Sequence, residues 1–298
     1  MNRLKLHRYF VLLLLFTVVL AGCGAGEEAP GTDDEGLQEG EGEAQQLTIA
    51  RNNWAENVAV SAMWEILLEE QGYEVDVQAM EKSPVWVATA QGDVDIAPEV
   101  WLPHTDEPLY EEFGEQLELH ETWYDNTTLG LAVPEYMDIN SIEELNEKKD
   151  ELGVDRIIGI DPGASLTQLT QETIQEYGLE YELVTSSEAA MIGQLESAYN
   201  NEENIVVTLW SPHWVFSEYD LKYLEDPNLV YGEPDDIYYA TRQGFAEDHP
   251  EVVEWMNNWK MDDDTLGELM TMINESSPEE GARTWIEENR DLVDQWIQ

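Results

Sequence analysis

The chain is short of cysteine and of positive charge, and each shortage excludes something. Cys23 is the only cysteine in 298 residues, so no internal disulfide can form. Lysine and arginine total 13 against 65 acidic residues, a formal net charge of −52. Nucleic acid and anionic lipid head groups are poor partners for a surface of that sign. Histidine is scarce, at five residues, and shows no metal-ligand spacing. The G-x-S-x-G elbow, the P-loop, the H-E-x-x-H pair and the EF-hand loop are all missing, which leaves an enzyme unsupported. Neither a cofactor nor a metal is expected.

Long apolar runs are also rare. The one clear case, residues 10–21, follows the basic Arg3, Lys5 and Arg8 and ends in Leu20-Ala21-Gly22-Cys23. A basic start, a short apolar core and small residues before a cleavage point mark a secretory signal. The run is too short to cross a bilayer, which takes about 20 residues. Leu-Ala-Gly-Cys resembles the lipobox of bacterial lipoproteins, which implies removal of residues 1–22 and a lipid on Cys23. Residues 24–46 are rich in Gly, Glu, Asp and Gln without an aromatic residue. They cannot bury enough apolar surface to fold, so 23–46 is read as a lipidated cysteine and an acidic tether. The expected location is the outer face of the cell membrane, held by that lipid. The first 22 residues hold three basic and no acidic residues, so the rest carries 65 acids against 10 bases. Such self-repulsion suits a saline medium, where salt screens it.

From residue 47 onward, short β-rich runs alternate with amphipathic helical ones. Strands are expected at 47–50, 73–77, 94–97, 129–133, 157–160 and 205–209, with helices at 58–70 and 85–91 among others. The rhythm argues for an α/β protein with largely parallel sheets. After residue 250 only helical patterns appear. Two lobes are expected: 46–135 plus 241–298, and 136–240. The crossings are placed at the polar stretch 134–153 and at 238–245. Two crossings make a cleft that can close on a ligand by hinge motion.

What the chain has in excess is tryptophan, 11 residues against 5 Phe. Asn53-Trp54-Ala55-Glu56, Val100-Trp101-Leu102-Pro103-His104 and Leu209-Trp210-Ser211-Pro212-His213-Trp214 each follow an expected strand, where ligands bind in α/β sheets. In the latter two a proline two residues after the tryptophan ends the strand. A quaternary ammonium has no N–H to donate. What attracts it is the negative face of an aromatic ring, Trp above all, by about 0.5 to 2 kcal/mol per contact. A carboxylate on the same ligand needs backbone N–H groups or a basic side chain.

The strings Trp101-Leu102-Pro103, Trp210-Ser211-Pro212-His213-Trp214, Gly159-Ile160-Asp161-Pro162-Gly163, Leu221-Lys222-Tyr223-Leu224 and Thr241-Arg242-Gln243-Gly244-Phe245 resemble those of glycine betaine/proline betaine substrate-binding proteins of ABC importers. The resemblance runs over most of the chain after the tether. It implies a two-lobed periplasmic-binding-protein-like fold, a ligand cleft between the lobes and ABC permease subunits as partners. It implies further that Trp54, Trp101 and Trp210 form a box for the ammonium, and that the amides of Ser165 and Leu166 hold the carboxylate. One departure stands out. The family often has a carboxylate-touching histidine five residues after the Trp of Trp-Leu-Pro; here that position is Asp106, and the nearby His104 is the candidate to take over that ligand contact, the alternative being a weaker hold on the carboxylate. Choline binders of the wider family carry an acid two positions after the first box tryptophan, which is Glu56 here, so choline or carnitine stays open. Trp faces also stack on sugars, so a carbohydrate-binding lipoprotein is a further alternative. Among the remaining candidates, His213 reads as a turn-fixing residue more than a ligand contact, and Trp214 is ambiguous. Glu56 reads first as a helix first-turn residue. Trp64, Trp86, Trp255, Trp259, Trp285 and Trp296 lie on helical patterns and read as packing residues.

Overall fold

The computed structural model describes residues 45–298. The signal segment, Cys23 and nearly all of the tether lie outside the described residues. Ten strands follow in chain order: Gln46–Arg51 (β1), Glu74–Ala79 (β2), Ile96–Leu102 (β3), Leu117–Tyr124 (β4), Thr128–Pro134 (β5), Arg156–Gly159 (β6), Glu182–Thr185 (β7), Val206–Ser211 (β8), Leu221–Tyr223 (β9) and Asp236–Arg242 (β10). They form two five-stranded sheets, β2-β1-β3-β10-β4 and β7-β6-β8-β5-β9. Each sheet with its helices makes one lobe of an α/β fold.

The sheets are mixed, and they mirror each other in plan. Three strands of each run parallel: β2, β1 and β3 in the first, β7, β6 and β8 in the second. Beside them one strand arrives from the other lobe and pairs antiparallel on both sides: β10 with β3 and β4, β5 with β8 and β9. The expectation of largely parallel sheets therefore holds for β1, β2 and β3 and for β6, β7 and β8, and fails at the exchanged strands.

The exchange also moves the lobe boundaries. The first sheet ends with Tyr124 and the second begins at Thr128, so the first crossing is residues 125–127. The return crossing is residues 224–235, between β9 and β10. Thr128–Pro134 thus belongs to the second lobe and residues 236–240 to the first, against the division at 135/136 and 240/241. The polar stretch after Pro134 is not a crossing. It buries Ile139, Ile142 and Leu145 against the second lobe and hydrogen-bonds β9's neighbour, with Ile142 N–H donating to Glu225 O at 3.0 Å. The two true crossings bond to each other. Thr127 N–H donates to Asp235 O at 2.8 Å, and Asn126 N–H donates to Asp236 Oδ1 at 3.0 Å. Asn126 holds a left-handed φ of 62°, a conformation that Asn tolerates better than most residues.

Tryptophan also builds the first lobe's core. Trp123 stacks on Trp259 at 4.3 Å and 10°, and Trp64 meets Trp259 edge-on at 5.6 Å. All three side chains are fully buried, and stacked and edge-to-face pairs each add to what burial alone gives. This cluster ties the Ala55–Glu70 helix to β4 and to the C-terminal region. That region is helical as expected: Pro250–Asn258, Asp263–Glu275, Pro278–Glu288 and Arg290–Trp296. Asp262 starts the second of these with a reciprocal cap, accepting from Thr265 N–H while the Thr265 hydroxyl takes the Asp262 N–H. Among the described residues no helix is long and apolar enough to cross a membrane.

Candidate ligand-binding site

The site is built at strand ends that face each other across the two lobes. Trp54 stands directly before the Ala55–Glu70 helix in extended conformation, φ −105° and ψ 150°. Trp101 and Trp210 are the last residues but one of β3 and β8, so each strand runs one residue past its tryptophan. Leu102–Pro103 and Ser211–Pro212, the next bonds, are both cis. Trp54 and Trp101 thus come from one lobe and Trp210 from the other. All three line one cavity with about 340 Å³ of atom-free space, part of it open to solvent. The Trp54 and Trp210 rings lie 6.4 Å apart at 59°, tilted and not stacked, so neither face is spent on the other ring. Leu129, Ile160, Ala164 and Leu166 add apolar wall.

Hydrogen bonds close the lobes around this space. Trp54 Nε1 donates to Asp161 Oδ2 at 3.0 Å, and Trp210 Nε1 donates to Glu56 Oε2 at 2.8 Å. Ser165 Oγ donates to Asp106 Oδ1 at 3.0 Å. Ala55 N–H donates to Glu188 Oε2 at 3.0 Å. Each bond has one partner in each lobe, so the four form together only when the lobes meet. Ser165 and Leu166 open the Ser165–Glu176 helix; first-turn N–H groups have no partner inside a helix and sit at its positive end.

The charges at the site are unusual for being buried. Lys82, 3% exposed, places Nζ 2.6 Å from Oδ2 of fully buried Asp106 and 5.5 Å from the Trp54 ring centroid. Asp106 Oδ2 also accepts from Trp101 N–H at 2.9 Å. Burial pushes the Glu56 carboxyl well above its usual range, with the Glu99 and Glu188 charges adding and the Trp210 N–H opposing. Its Oε1 is buried without a partner. Burial likewise pushes Glu99 up to about 7, against the pull of Lys82 and the long 3.5 Å bond from Trp101 Nε1. Among the described residues no cluster of histidines, cysteines and acids is arranged to hold a metal.

Of the residues singled out from sequence, Trp54, Trp101, Trp210, Ser165, Leu166, Glu56 and Asp106 line the cavity together. His104 does not: its side chain is exposed, and its backbone N–H is used to hold Asp235 Oδ1 at 2.7 Å. His213 lies behind Trp210, ring to ring at 4.8 Å and 83°. Its Nδ1 accepts from Val215 N–H, which leaves Nε2–H for Glu188 Oε1 at 3.0 Å, so it fixes a turn. Trp214 is half-buried and lines a separate groove with Ile273 and Met270. Lys82, Thr105 and Glu188 escaped the sequence reading. Lys82 opens an ordinary-looking helix, Lys82–Gln91, and only its lack of exposure sets it apart from a surface lysine. Thr105 was hidden between two more conspicuous neighbours.

Residues 45–288 match the family model described as OpuAC, the substrate binding domain of ABC-type glycine betaine transport systems. The glycine betaine/carnitine transport binding protein GbuC of Listeria monocytogenes is 40% identical over 144 residues, 47% of this chain and 48% of the relative. The match thus spans about half the length of that curated relative. Among solved structures, lactococcal OpuAC in its closed-liganded conformation with glycine betaine aligns with a TM-score of 0.80 at 30% identity, covering 85% of this chain and all of the other. The glycine betaine/L-proline-binding protein ProX of Borrelia burgdorferi gives 0.81 at 31%, covering 85% and 97%. In keeping with its two-lobed fold and tryptophan-lined cleft, this chain belongs to the OpuAC family of substrate-binding domains of ABC-type glycine betaine transport systems.

Proposed function

We propose that the protein is an extracytoplasmic solute-binding protein that captures glycine betaine or proline betaine and delivers it to the permease subunits of an ABC importer, in the service of osmoprotection. It performs no chemistry of its own. A lipid on Cys23 holds it at the outer face of the membrane, and the acidic tether gives it reach. The observation that carries the reading is the meeting of three indoles, two from one lobe and one from the other, around a single cavity. A quaternary ammonium gains from each ring face it desolvates. A ligand carboxylate fits the first-turn amides of Ser165 and Leu166. The open form admits the ligand, and closure joins both sets of contacts; the closed, loaded form docks on the permease.

One observation favours choline as a second reading: Glu56 lines the cavity with an unpartnered carboxyl oxygen, which would accept a hydroxyl. The test is calorimetric titration with glycine betaine, proline betaine, carnitine, choline and several sugars. A ligand at 100 times its dissociation constant adds about 2.7 kcal/mol to stability, so thermal shift gives an independent readout. Binding of a carboxylated quaternary amine in preference to choline is expected. A melting temperature raised by a sugar and by no quaternary amine would overturn the reading.

A further inference from the structure

We propose that the buried Lys82–Asp106 pair decides which charge type the cavity admits, with Lys82 the group that meets the ligand's carboxylate, so that a zwitterion is accepted and a plain quaternary cation is disfavoured. The inference rests on the reading that the cavity holds a quaternary ammonium.

Among the described residues that line the cavity, Lys82 is the one basic side chain. It is not placed there for its own helix. It is the first residue of Lys82–Gln91, where the helix dipole repels a cation. Nor does fold stability explain the pair, since apolar residues of similar volume replace buried ion pairs without loss in many proteins. Function explains it better, because both members border the same space. Both oxygens of Asp106 are engaged: Oδ2 takes Lys82 Nζ at 2.6 Å and Trp101 N–H at 2.9 Å, and Oδ1 takes Ser165 Oγ at 3.0 Å. An ammonium has three donors, and Asp106 uses one of them.

The pair is itself near neutral but polar, with the positive end over the Trp54 ring at 5.5 Å. A cation entering alone meets that positive end at one of the rings it needs. A zwitterion turns its carboxylate toward Lys82 and the Ser165 helix, and its methylated nitrogen toward Trp101 and Trp210. Ser165 comes from the opposite lobe, so closure completes the arrangement. Removing the lysine alone should leave a buried carboxylate that welcomes a cation. Removing both charges should leave a wall without the preference that this pair imposes.

The experiment is calorimetric titration of the mature full chain with glycine betaine and with choline, in wild type, K82M and K82M/D106N. In K82M glycine betaine should bind roughly 10- to 100-fold more weakly, the loss of one charged hydrogen bond, while choline tightens. The preference for glycine betaine over choline should rank wild type, then K82M/D106N, then K82M. The double variant buries no unpaired charge, so it carries the test even where K82M fails to fold: its preference should fall at least about 10-fold below wild type. An unchanged preference in every folded variant overturns the proposal. A wild type that binds neither ligand fails earlier, at the functional reading, and takes this inference with it.

Discussion

Trp210 Nε1 donates to Glu56 Oε2 at 2.8 Å, and that bond joins the second lobe's cavity-lining tryptophan to the first turn of the first lobe's leading helix. One indole thus has two parts to play: its face lines the cavity and its N–H holds the lobes together. Trp210→Phe separates them, because phenylalanine keeps an aromatic face and loses the donor. Glu56 then loses its one side-chain donor, since Oε1 already has no partner. A buried polar group without its partner costs about 1 to 3 kcal/mol, and only the closed form bears that cost. Affinity for glycine betaine should fall roughly 5- to 150-fold in calorimetry, and Trp210→Ala should fall further. Wild-type affinity in the phenylalanine variant would show that the bond plays no part in closure.

Glu99 makes stability depend on pH in a sense opposite to most carboxylates. Burial pushes its carboxyl up to about 7 in the folded chain, with Asp106 adding and Lys82 opposing. Unfolded, a glutamate titrates near 4.3. Between those values the native state holds more protons than the unfolded state, so this residue's contribution falls as pH rises through the window and stays low above it. Gln mimics the protonated form. Glu99→Gln should melt with the wild type near pH 4 and above it at pH 8, with the gap opening through the window. Taking the difference between two proteins cancels the other acids. A gap that is constant across this range would reject the assignment.

The parallel strands of each lobe were readable because parallel, helix-covered strands leave runs such as Ile157-Ile158 and Val206-Val207 that are buried on both faces. The exchange of strands between lobes was not. Thr128–Pro134 and Asp236–Arg242 look like any other strand in sequence, and the three-residue crossing at 125–127 leaves no compositional mark. The polar stretch after Pro134 supplied a false one. That three tryptophans would share one cavity was legible because their chemistry is rare and their local strings are distinctive. Lys82 was missed because a lysine at the start of a helix is usually solvated, and only the fold reveals that Asp106 faces it at 2.6 Å. His104 misled for the converse reason: a histidine near the right turn was read as a site residue, whereas its ring points to solvent and its backbone does the work.

Gly281 offers a test of packing with a sign that helix propensity gets wrong. It sits inside the Pro278–Glu288 helix, where Gly→Ala ordinarily gains about 1 kcal/mol. Here a Cβ would stand 2.6 Å from Ile273 Cα and N, backbone atoms of the neighbouring Asp263–Glu275 helix that cannot swing aside. The two helices must part or shift, at a cost of about 1 to 3 kcal/mol. Gly281→Ala should therefore lower the urea midpoint, with ligand affinity per folded molecule unchanged because the site lies elsewhere. A stabilised variant would mean the helices are free to move apart.

The charge balance sets the last expectation. With 65 acids against 13 bases, most carboxylates have no cation to pair with, and the folded state brings them closer than the unfolded chain does. Salt should relieve this by screening. The Debye length is about 10 Å at 0.1 M and about 3 Å at 1 M, so most of the relief should come early and then level off. Excluded-solute stabilisation behaves differently, because it continues to grow as a salt such as sulfate is added. The melting temperature in NaCl should rise by several degrees below about 0.5 M, since each kcal/mol is worth about 2 to 4 °C in a chain of this size, and flatten beyond. A curve that climbs steadily to several molar would assign the effect to solute exclusion, and no rise at all would remove self-repulsion from the account. A net-neutral ligand should feel little of this, so betaine affinity should move far less with NaCl than the melting temperature does, whereas choline affinity should weaken as the acidic surface that attracts it is screened.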